Sequence, residues 1–166
     1  MTHPPDHSQP PPKTHWMTYL PDEAATARLG GRLAAGVGPG MRIYFRGELG
    51  SGKTTLIRGL LCGLGVQGRV KSPSYALVEL YAVSRLNLYH FDFYRFLDAR
   101  EFGDSGVAEY FHDEGICLVE WPERAGDALP RPDLELTLAY AGEGRDISVK
   151  AHSAAGERCL AKSRNA

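Results

Sequence analysis

The sequence predicts an α/β fold in which a mixed sheet has a parallel core, is extended by antiparallel hairpins and is flanked by helices. Two short apolar runs, 41–45 and 116–120, have the composition of buried parallel strands. Glycines and a lysine follow the first run, and a carboxylate ends the second, as expected at the edge where α/β sheets bind ligands. Two pairs of predicted strands, each joined by a short connection, predict the hairpins. A chain of 166 residues is long enough for one domain with a substantial core.

The N-terminal residues 1–15 are rich in proline and histidine and contain almost no apolar side chains. Their composition predicts a disordered tail. The histidines there could contact a metal, but a solvated tail fits the composition better. We predict that the domain spans 16–161 and that the charged residues 162–166 fray.

The first predicted elements are a strand at 17–20 and a helix that begins at 21–23 and ends near Ala35. Asp22 has the side chain of an N-cap residue, which accepts a hydrogen bond from the first turn. Apolar residues at helical spacing support the helix. The glycine pair at 30–31 disfavours an unbroken helix.

The segment Gly47–Thr54 fits the phosphate-binding pattern G-x-x-x-x-G-K-[ST] and lies between a predicted strand and a predicted helix. Its glycines allow backbone angles that direct successive N–H groups toward a phosphate. Lys53 supplies positive charge for the outer phosphates, and the Thr54 hydroxyl can complete a Mg²⁺ shell. The helix adds the positive end of its dipole. We predict a single P-loop NTPase-like domain whose nucleotide site is formed by Leu49, Gly50, Ser51, Gly52, Lys53, Thr54 and Thr55.

The segments 76–83 and 87–95 are predicted as two strands, and the short connection at 84–86 allows them to pair as a hairpin. In the second strand, the period of two places His90, Asp92 and Tyr94 on one face. A carboxylate in the middle of such a strand is unusual, so Asp92 is a candidate functional residue. The alternative interpretation is an edge strand with one solvated face.

The apolar run 116–119 ends in Glu120 and is followed by Trp121 and Pro122. This is a Walker-B type of arrangement, in which a buried strand presents an acid at its C-terminal end. Glu120 could hold Mg²⁺ directly or through water, or it could polarise the attacking water. A purely structural acid is the weaker alternative, because a phosphate-binding loop needs an acidic partner.

The C-terminal third of the chain is predicted to contain a short helix and a second hairpin. The helix is expected at 122–129. The segments 134–140 and 145–151 alternate between apolar and polar residues and are joined by a glycine-containing turn. We predict that they form a solvent-facing hairpin.

Composition restricts the classes of function. The net charge of −1 and the pI near 6.6 show no excess of basic residues that would bind the phosphate backbone of nucleic acid, so any RNA role is expected to be indirect. Cys62, Cys117 and Cys159 lack metal-ligand spacing and are predicted to be small buried apolar residues in a reducing cytoplasm. Neither a signal peptide nor an apolar run that spans a bilayer is visible, so we expect a cytoplasmic protein without membrane association.

Four motifs, in this order along the chain, resemble the signatures of the TsaE family, formerly YjeE. They are GELGSGKTT at 47–55, SPSY at 72–75, YHFDFYR at 89–95 and LVEWPER at 118–124. The last two are much more specific than the P-loop, and the resemblance extends from about Leu20 to about Ala161. Ser74 departs from the family, which usually has threonine there, but the hydroxyl is kept. Members are small bacterial P-loop ATPases needed to make threonylcarbamoyladenosine in tRNA.

The resemblance implies ATP as the nucleotide and Mg²⁺ as the metal cofactor. Lys53 would bind phosphate, while Thr54 and Glu120 would be the metal ligands. Asp92 would lie near the γ-phosphate and matter for hydrolysis, so that Asp92, Glu120 and Lys53 are the predicted catalytic residues. Which of the two acids orients the attacking water stays open at this stage.

The resemblance also implies the surroundings of the nucleotide. Pro21 and Asp22 match the N-terminal segment near the adenine, and Trp121 would sit beside the nucleotide. The loop 72–74 would be a switch-like element that senses the nucleotide state. Apart from the resemblance, the residues themselves establish no arginine finger; Arg95 is a candidate, for which an ion pair with a nearby acid is an equal alternative.

The partners implied by the resemblance are TsaD and TsaB, with tRNA reached only indirectly through their complex. ATP binding and hydrolysis would support multiple turnovers, and the activity of the isolated chain would be weak. One alternative is a small-molecule kinase, which the lack of an arginine-rich lid segment argues against. Another is a non-catalytic nucleotide-gated binding module, in which Asp92 and Glu120 affect partner binding only.

Overall fold

Seven strands form one mixed sheet in the computed structural model, which describes residues 14–166. The strands are β1 (His15–Leu20), β2 (Arg42–Arg46), β3 (Val78–Val83), β4 (Leu86–Asp92), β5 (Ile116–Glu120), β6 (Leu134–Ala141) and β7 (Gly144–Ala151). The helices are α1 (Glu23–Ala34), α2 (Lys53–Gly63), α3 (Arg100–Asp104) and α4 (Ala154–Arg164). No helix within residues 14–166 is both long and apolar enough to cross a membrane.

The strand order is β1-β7-β6-β2-β5-β4-β3, with a parallel core of four strands. Strand β2 pairs in parallel with β5 and with β6, and β5 pairs in parallel with β4. The β3–β4, β6–β7 and β1–β7 pairs are antiparallel. The predicted mixed sheet with a parallel core and antiparallel hairpins is therefore confirmed.

The prediction of a solvent-facing C-terminal hairpin is wrong. Strand β6 belongs to the parallel core, and the apolar residues of the hairpin face the helices. Those with at most 2% exposure are Leu134, Leu136, Leu138, Ile147 and Val149. The alternating pattern was interpreted correctly as a two-faced hairpin, but its apolar face is covered because α4 and α1 pack on that side of the sheet.

Helix α4, which the sequence analysis did not predict, covers the end of this hairpin. Ser153 caps its N-terminus with a side-chain hydrogen bond, and Cys159 lies in the core. Ser163 is buried and donates its hydroxyl to the Cys159 carbonyl at 2.7 Å. Helical structure consequently continues through Arg164, into the segment 162–166 for which fraying was expected.

The two faces of the sheet carry different cores. Helices α1, α2 and α4 cover an aliphatic core, which includes Leu33, Leu56 and Leu160. The opposite face is covered by α3 and a 3₁₀ segment at Val107–His112, which enclose an aromatic cluster. Strand β4 lies inside the sheet between β5 and β3, with both faces buried at its centre. The edge-strand interpretation of this segment is therefore excluded.

Three local predictions also differ from the structure. His15 belongs to β1, so the predicted tail 1–15 ends too late; its residues 1–13 lie outside the described part of the chain. The helix expected at 122–129 is two single 3₁₀ turns. Cys62 is exposed, whereas Cys117 and Cys159 are buried as predicted, and burial raises the pKa of their thiols to about 12 and about 11.

Helix α1 is unbroken, contrary to the expectation from its glycine pair. The Asp22 carboxylate accepts the predicted capping bond from the Ala25 amide at 2.8 Å. Gly30 lies where α1 crosses α2 and faces Gly59 of that helix. A Cβ at either glycine would overlap backbone atoms of the other helix. The glycines thus serve the close approach of the two helices rather than a break in one of them.

We expect the Gly59→Ala substitution to lower the free energy of unfolding by about 2 kcal/mol. A methyl group would meet the Ala27 backbone, with its Cα at 2.9 Å, so the helices must separate. This cost exceeds the gain of about 1 kcal/mol in helix propensity. Urea unfolding followed by circular dichroism measures the change. Gly103→Ala is the matched control, because a Cβ there meets nothing within 4 Å; equal stabilities of the two variants would contradict the crossing argument.

Candidate functional site

The P-loop connects the end of β2 to the start of α2 and forms one wall of a cavity of about 520 Å³. Gly50 and Gly52 adopt φ angles of 76° and 108°, which favour glycine. The turn exposes loop atoms and the first residues of α2 to the cavity. Ser51 is the exception in the loop: it is buried, does not line the cavity, and its Oγ has no hydrogen-bond partner among residues 14–166.

The Lys53 side chain is held within the loop. Its ammonium donates to the carbonyls of Gly47 at 2.5 Å and Glu48 at 2.9 Å. The ammonium also lies 4.3 Å from the centre of the Trp121 ring. The Trp121 backbone has a left-handed φ of 57°. Burial lowers the pKa of the ammonium from its ordinary value, while nearby carboxylates, Glu120 foremost, act in the opposite direction.

Glu120 stands at the C-terminal end of β5 and contacts α2. Its Oε1 accepts a hydrogen bond from the Thr54 hydroxyl at 2.9 Å. Its Oε2 lies 2.7 Å from His90 Nε2, and both side chains are almost fully buried. The other ring nitrogen, His90 Nδ1, has no hydrogen-bond partner within residues 14–166. The carboxylate is thereby fixed between a helix and the neighbouring strand.

Asp92 faces the same cavity from β4. The parallel register places it directly opposite Glu120. The Ser72 hydroxyl donates to Asp92 Oδ2 at 2.5 Å and approaches Glu120 Oε2 at 3.4 Å. The Tyr94 amide donates to Asp92 Oδ1 at 2.9 Å. Ser72, in the loop before β3, therefore links the two acids that the sequence analysis singled out.

The structure gathers most of the predicted site residues around this cavity. Those that line it are Leu49, Gly50, Gly52, Lys53, Thr54, Thr55, Asp92, Glu120 and Trp121. Asp22 lines a neighbouring cavity of about 190 Å³ and caps α1. Pro21 is exposed and lines neither cavity. Ser51 is buried within the loop and lines neither cavity.

Glu23 and Tyr75 line the cavity although neither was predicted from the sequence, and the arginine-finger candidate Arg95 lines it as well. Glu23 accepts a hydrogen bond from the Thr55 hydroxyl at 3.3 Å, and Tyr75 is 83% exposed at the cavity wall. Arg95 lies over the Tyr75 ring at 3.8 Å and has no ion pair with an acid among residues 14–166. The shared face of His90 and Asp92 was the available sequence signal for the histidine, but its partner across the strands was not visible.

The residues present fit a phosphate group with Mg²⁺. The glycine turn is a cradle that side chains would disturb: a Cβ at Gly47 would come within 2.6 Å of Ser51 Oγ. The Thr54 hydroxyl and the Glu120 carboxylate are hard oxygen donors of the kind that Mg²⁺ prefers. Residues 14–166 contain no group of three or more His, Cys, Asp or Glu suited to a metal. A magnesium ion here would share its shell with substrate phosphates, as is common for this ion.

A protein-family model described as "Threonylcarbamoyl adenosine biosynthesis protein TsaE" matches residues 20–147, which is more than half of the chain. The chain belongs to the TsaE family. The family model covers the P-loop, Asp92 and Glu120 together, so the motifs that suggested the resemblance lie within a match of domain length.

Individual relatives agree with the TsaE assignment. A protein of Haemophilus influenzae named "tRNA threonylcarbamoyladenosine biosynthesis protein TsaE" is 39% identical over 147 residues, covering 86% of this chain and 93% of its own. A protein of the same name from Bacillus subtilis is 40% identical, with 82% and 84% covered. The crystal structure of YdiB from Bacillus subtilis superposes with a TM-score of 0.77 at 32% identity, covering 91% of this chain and 95% of YdiB. The two named relatives therefore agree with the TsaE family, and the YdiB structure supports the α/β fold.

Proposed function

We propose that this TsaE-family protein binds ATP with Mg²⁺ and hydrolyses it to support turnover of a TsaD–TsaB complex in tRNA N6-threonylcarbamoyladenosine (t6A) formation. The observation that carries the proposal is the 2.9 Å hydrogen bond between Thr54 Oγ1 and Glu120 Oε1. This bond joins the two oxygen ligands that would hold Mg²⁺ at the P-loop. Asp92 lies opposite Glu120, so a second acid is available to orient the water that would attack the γ-phosphate. The names of the two relatives provide the link to t6A.

Lys53 would exchange its present partners for the nucleotide. The carbonyls of Gly47 and Glu48 are neutral acceptors, whereas a phosphate oxygen is anionic and forms a stronger charge-assisted bond. The phosphate would also favour the charged form of the ammonium, whose pKa burial now lowers. The lysine thus moves little while its electrostatic contribution to phosphate binding increases.

The two acids would then have separate tasks. Thr54 and Glu120 would hold Mg²⁺, which when bound offsets charge on the phosphate oxygens. His90 would keep the Glu120 carboxylate aimed at Thr54. Among residues 14–166 no hydrogen bond joins Asp92 to Thr54, whose hydroxyl bonds Glu120 instead. Asp92 is held by Ser72 and the Tyr94 amide, so it is the better placed acid to orient water. ATP hydrolysis without any acceptor substrate is the activity that this assignment supports.

We expect the protein to bind TsaD and TsaB in an ATP-dependent manner and to release phosphate from ATP only when Mg²⁺ is present. ATP hydrolysis by the isolated chain should be slow, because among residues 14–166 no arginine forms an ion pair with Asp92 or Glu120. We expect the partners to increase turnover about tenfold or more. A pull-down with TsaD and TsaB, with and without ATP, combined with a phosphate-release assay, measures both. Tris-buffered EDTA without added Mg²⁺ is the control.

Two outcomes would contradict the proposed function. Failure to bind TsaD and TsaB under every nucleotide condition would remove the role in t6A formation. Consumption of ATP that depends strictly on an added nucleoside or sugar would favour a small-molecule kinase. The proposal includes a cytoplasmic location and only indirect contact with tRNA, without membrane association.

A further inference from the structure

The tip of the β6–β7 hairpin touches the outer side of the P-loop. Tyr140 and Arg145 are directly opposite each other across the two strands. The Tyr140 hydroxyl donates to the Leu49 carbonyl at 2.6 Å. Arg145 donates from Nε to the Ser51 carbonyl at 3.1 Å and from Nη2 to the Gly50 carbonyl at 3.2 Å. Two side chains of the hairpin therefore hold three successive carbonyls of the loop.

The arginine is fully engaged in this arrangement. Its third nitrogen, Nη1, donates to the Gly144 carbonyl at 2.8 Å, and its guanidinium lies 4.2 Å from the centre of the Tyr140 ring. Every nitrogen is thus bonded to backbone and one face lies against an aromatic ring, so Arg145 is held against the loop, at the wall of the neighbouring cavity of about 190 Å³. The contact is also close: a Cβ at Gly50 would lie 2.9 Å from the Tyr140 hydroxyl.

The direction of these carbonyls determines the direction of the loop amides. In a planar trans peptide, the carbonyl of one residue and the N–H of the next point in opposite directions. Carbonyls of Leu49, Gly50 and Ser51 that face the hairpin therefore turn the following N–H groups toward the inside of the loop. The Ser51 amide accordingly donates across the loop to the Glu48 carbonyl at 3.1 Å. N–H groups that point to the inside of the loop can donate hydrogen bonds to a bound phosphate.

We propose that Tyr140 and Arg145 are positioning residues that hold the P-loop in its phosphate-binding form before the nucleotide arrives. The inference rests on the proposed nucleotide binding. The loop would contact the phosphates of ATP and ADP in the ground state as well as during hydrolysis. The contacts of Tyr140 and Arg145 with the loop therefore stabilise the bound ground state and the transition state equally. Its loss raises the dissociation constants for both nucleotides and KM, while kcat changes by less than about twofold.

The test uses Tyr140→Phe and Arg145→Met in the full chain. Tyr140→Phe keeps the ring beneath the guanidinium and removes one hydrogen bond, so ATP and ADP affinities should fall about threefold to tenfold. Arg145→Met keeps the apolar stem and removes three charge-assisted bonds, two of them to the P-loop, with an expected loss of about tenfold to 100-fold in affinity. Arg145→Lys keeps the positive charge but has a single donor nitrogen in place of the planar guanidinium, so its affinities should be intermediate. Isothermal titration with ATP and ADP, and steady-state kinetics, measure these effects.

Lys150→Met is the matched control, because Lys150 is an exposed cation on the same strand and its substitution also removes one positive charge. It should leave affinity and KM unchanged. Unaltered dissociation constants and KM in both Tyr140→Phe and Arg145→Met would overturn the inference, as would a loss confined to kcat. If Arg145→Met does not fold, Tyr140→Phe decides alone. A wild-type chain that binds neither nucleotide would instead refute the proposed function.

Discussion

Replacing Lys53 with alanine is expected to reduce ATP turnover by about 100-fold or more and to weaken ATP binding by at least about tenfold. The ammonium of Lys53 is held within the P-loop, where it already bonds two loop carbonyls. Removing it leaves the phosphate charge to the loop amides and the metal. Titration calorimetry with ATP and a phosphate-release assay measure the two effects separately.

The effect of Lys53→Ala must be distinguished from damage to the helix. Arg58→Ala is the control, because Arg58 is an exposed basic residue on the same helix α2 and lines none of the cavities near the loop. Folding of the Lys53 variant is expected to be intact, since the substitution removes a buried cation whose pKa burial lowers. Undiminished ATP binding together with unchanged hydrolysis would show that the P-loop assignment is wrong.

The P-loop and its flanking elements could be predicted because the signal is local. A strand, a glycine-rich turn and a helix follow one another within 41–63, and every fixed position of the motif has a backbone or charge requirement. The N-cap at Asp22 was predictable for the same reason, because a capping residue acts within one turn. Such features need no knowledge of what packs against them.

The C-terminal hairpin shows where local signals end. Its alternation identified two faces, but the pattern does not say whether the apolar face meets a helix or solvent. The helix that covers it, α4, contains several charged residues and only a few buried ones, Cys159 and Leu160 among them. The same limitation hid the contacts of Tyr140 and Arg145 with the P-loop, which join segments about 90 positions apart in the chain.

The candidate site was predictable in its parts and not in its geometry. The period of two placed His90 and Asp92 on one face, and the apolar run placed Glu120 at a strand end. Their meeting depends on the parallel register of β4 and β5, which sets Asp92 opposite Glu120 and brings His90 to the same carboxylate. A shift of one residue would turn these side chains to the other face. Register is a tertiary property, so the sequence could not distinguish the roles of the two acids.

The geometry predicts different defects for Asp92→Asn and Glu120→Gln. Asp92→Asn should reduce kcat by about 100-fold or more with ATP binding retained, because the amide cannot accept a proton from water or orient it as the carboxylate does. Glu120→Gln should also reduce turnover, but through the metal: a neutral amide paired with Thr54 is a weaker Mg²⁺ ligand than a carboxylate. Both replacements keep the size and shape of the side chain.

Two measurements separate these defects. Electron paramagnetic resonance with Mn²⁺ in place of Mg²⁺ reports metal binding in the presence of ADP, and we expect it to weaken in Glu120→Gln and to remain near wild type in Asp92→Asn. Calorimetry with ATP reports nucleotide binding. The reverse pattern, with metal binding lost in Asp92→Asn, would exchange the roles of the two acids.

The same variants decide whether the site is catalytic at all. If the protein were a nucleotide-gated binding module, Asp92→Asn would disturb the association with TsaD and TsaB and leave ATP turnover unchanged. We expect the opposite, because Asp92 is only 5% exposed and its two oxygens are held by Ser72 and the Tyr94 amide inside the cavity. A carboxylate buried in this way is accessible to a ligand of the cavity and not to a partner surface, so its substitution should change chemistry before it changes assembly.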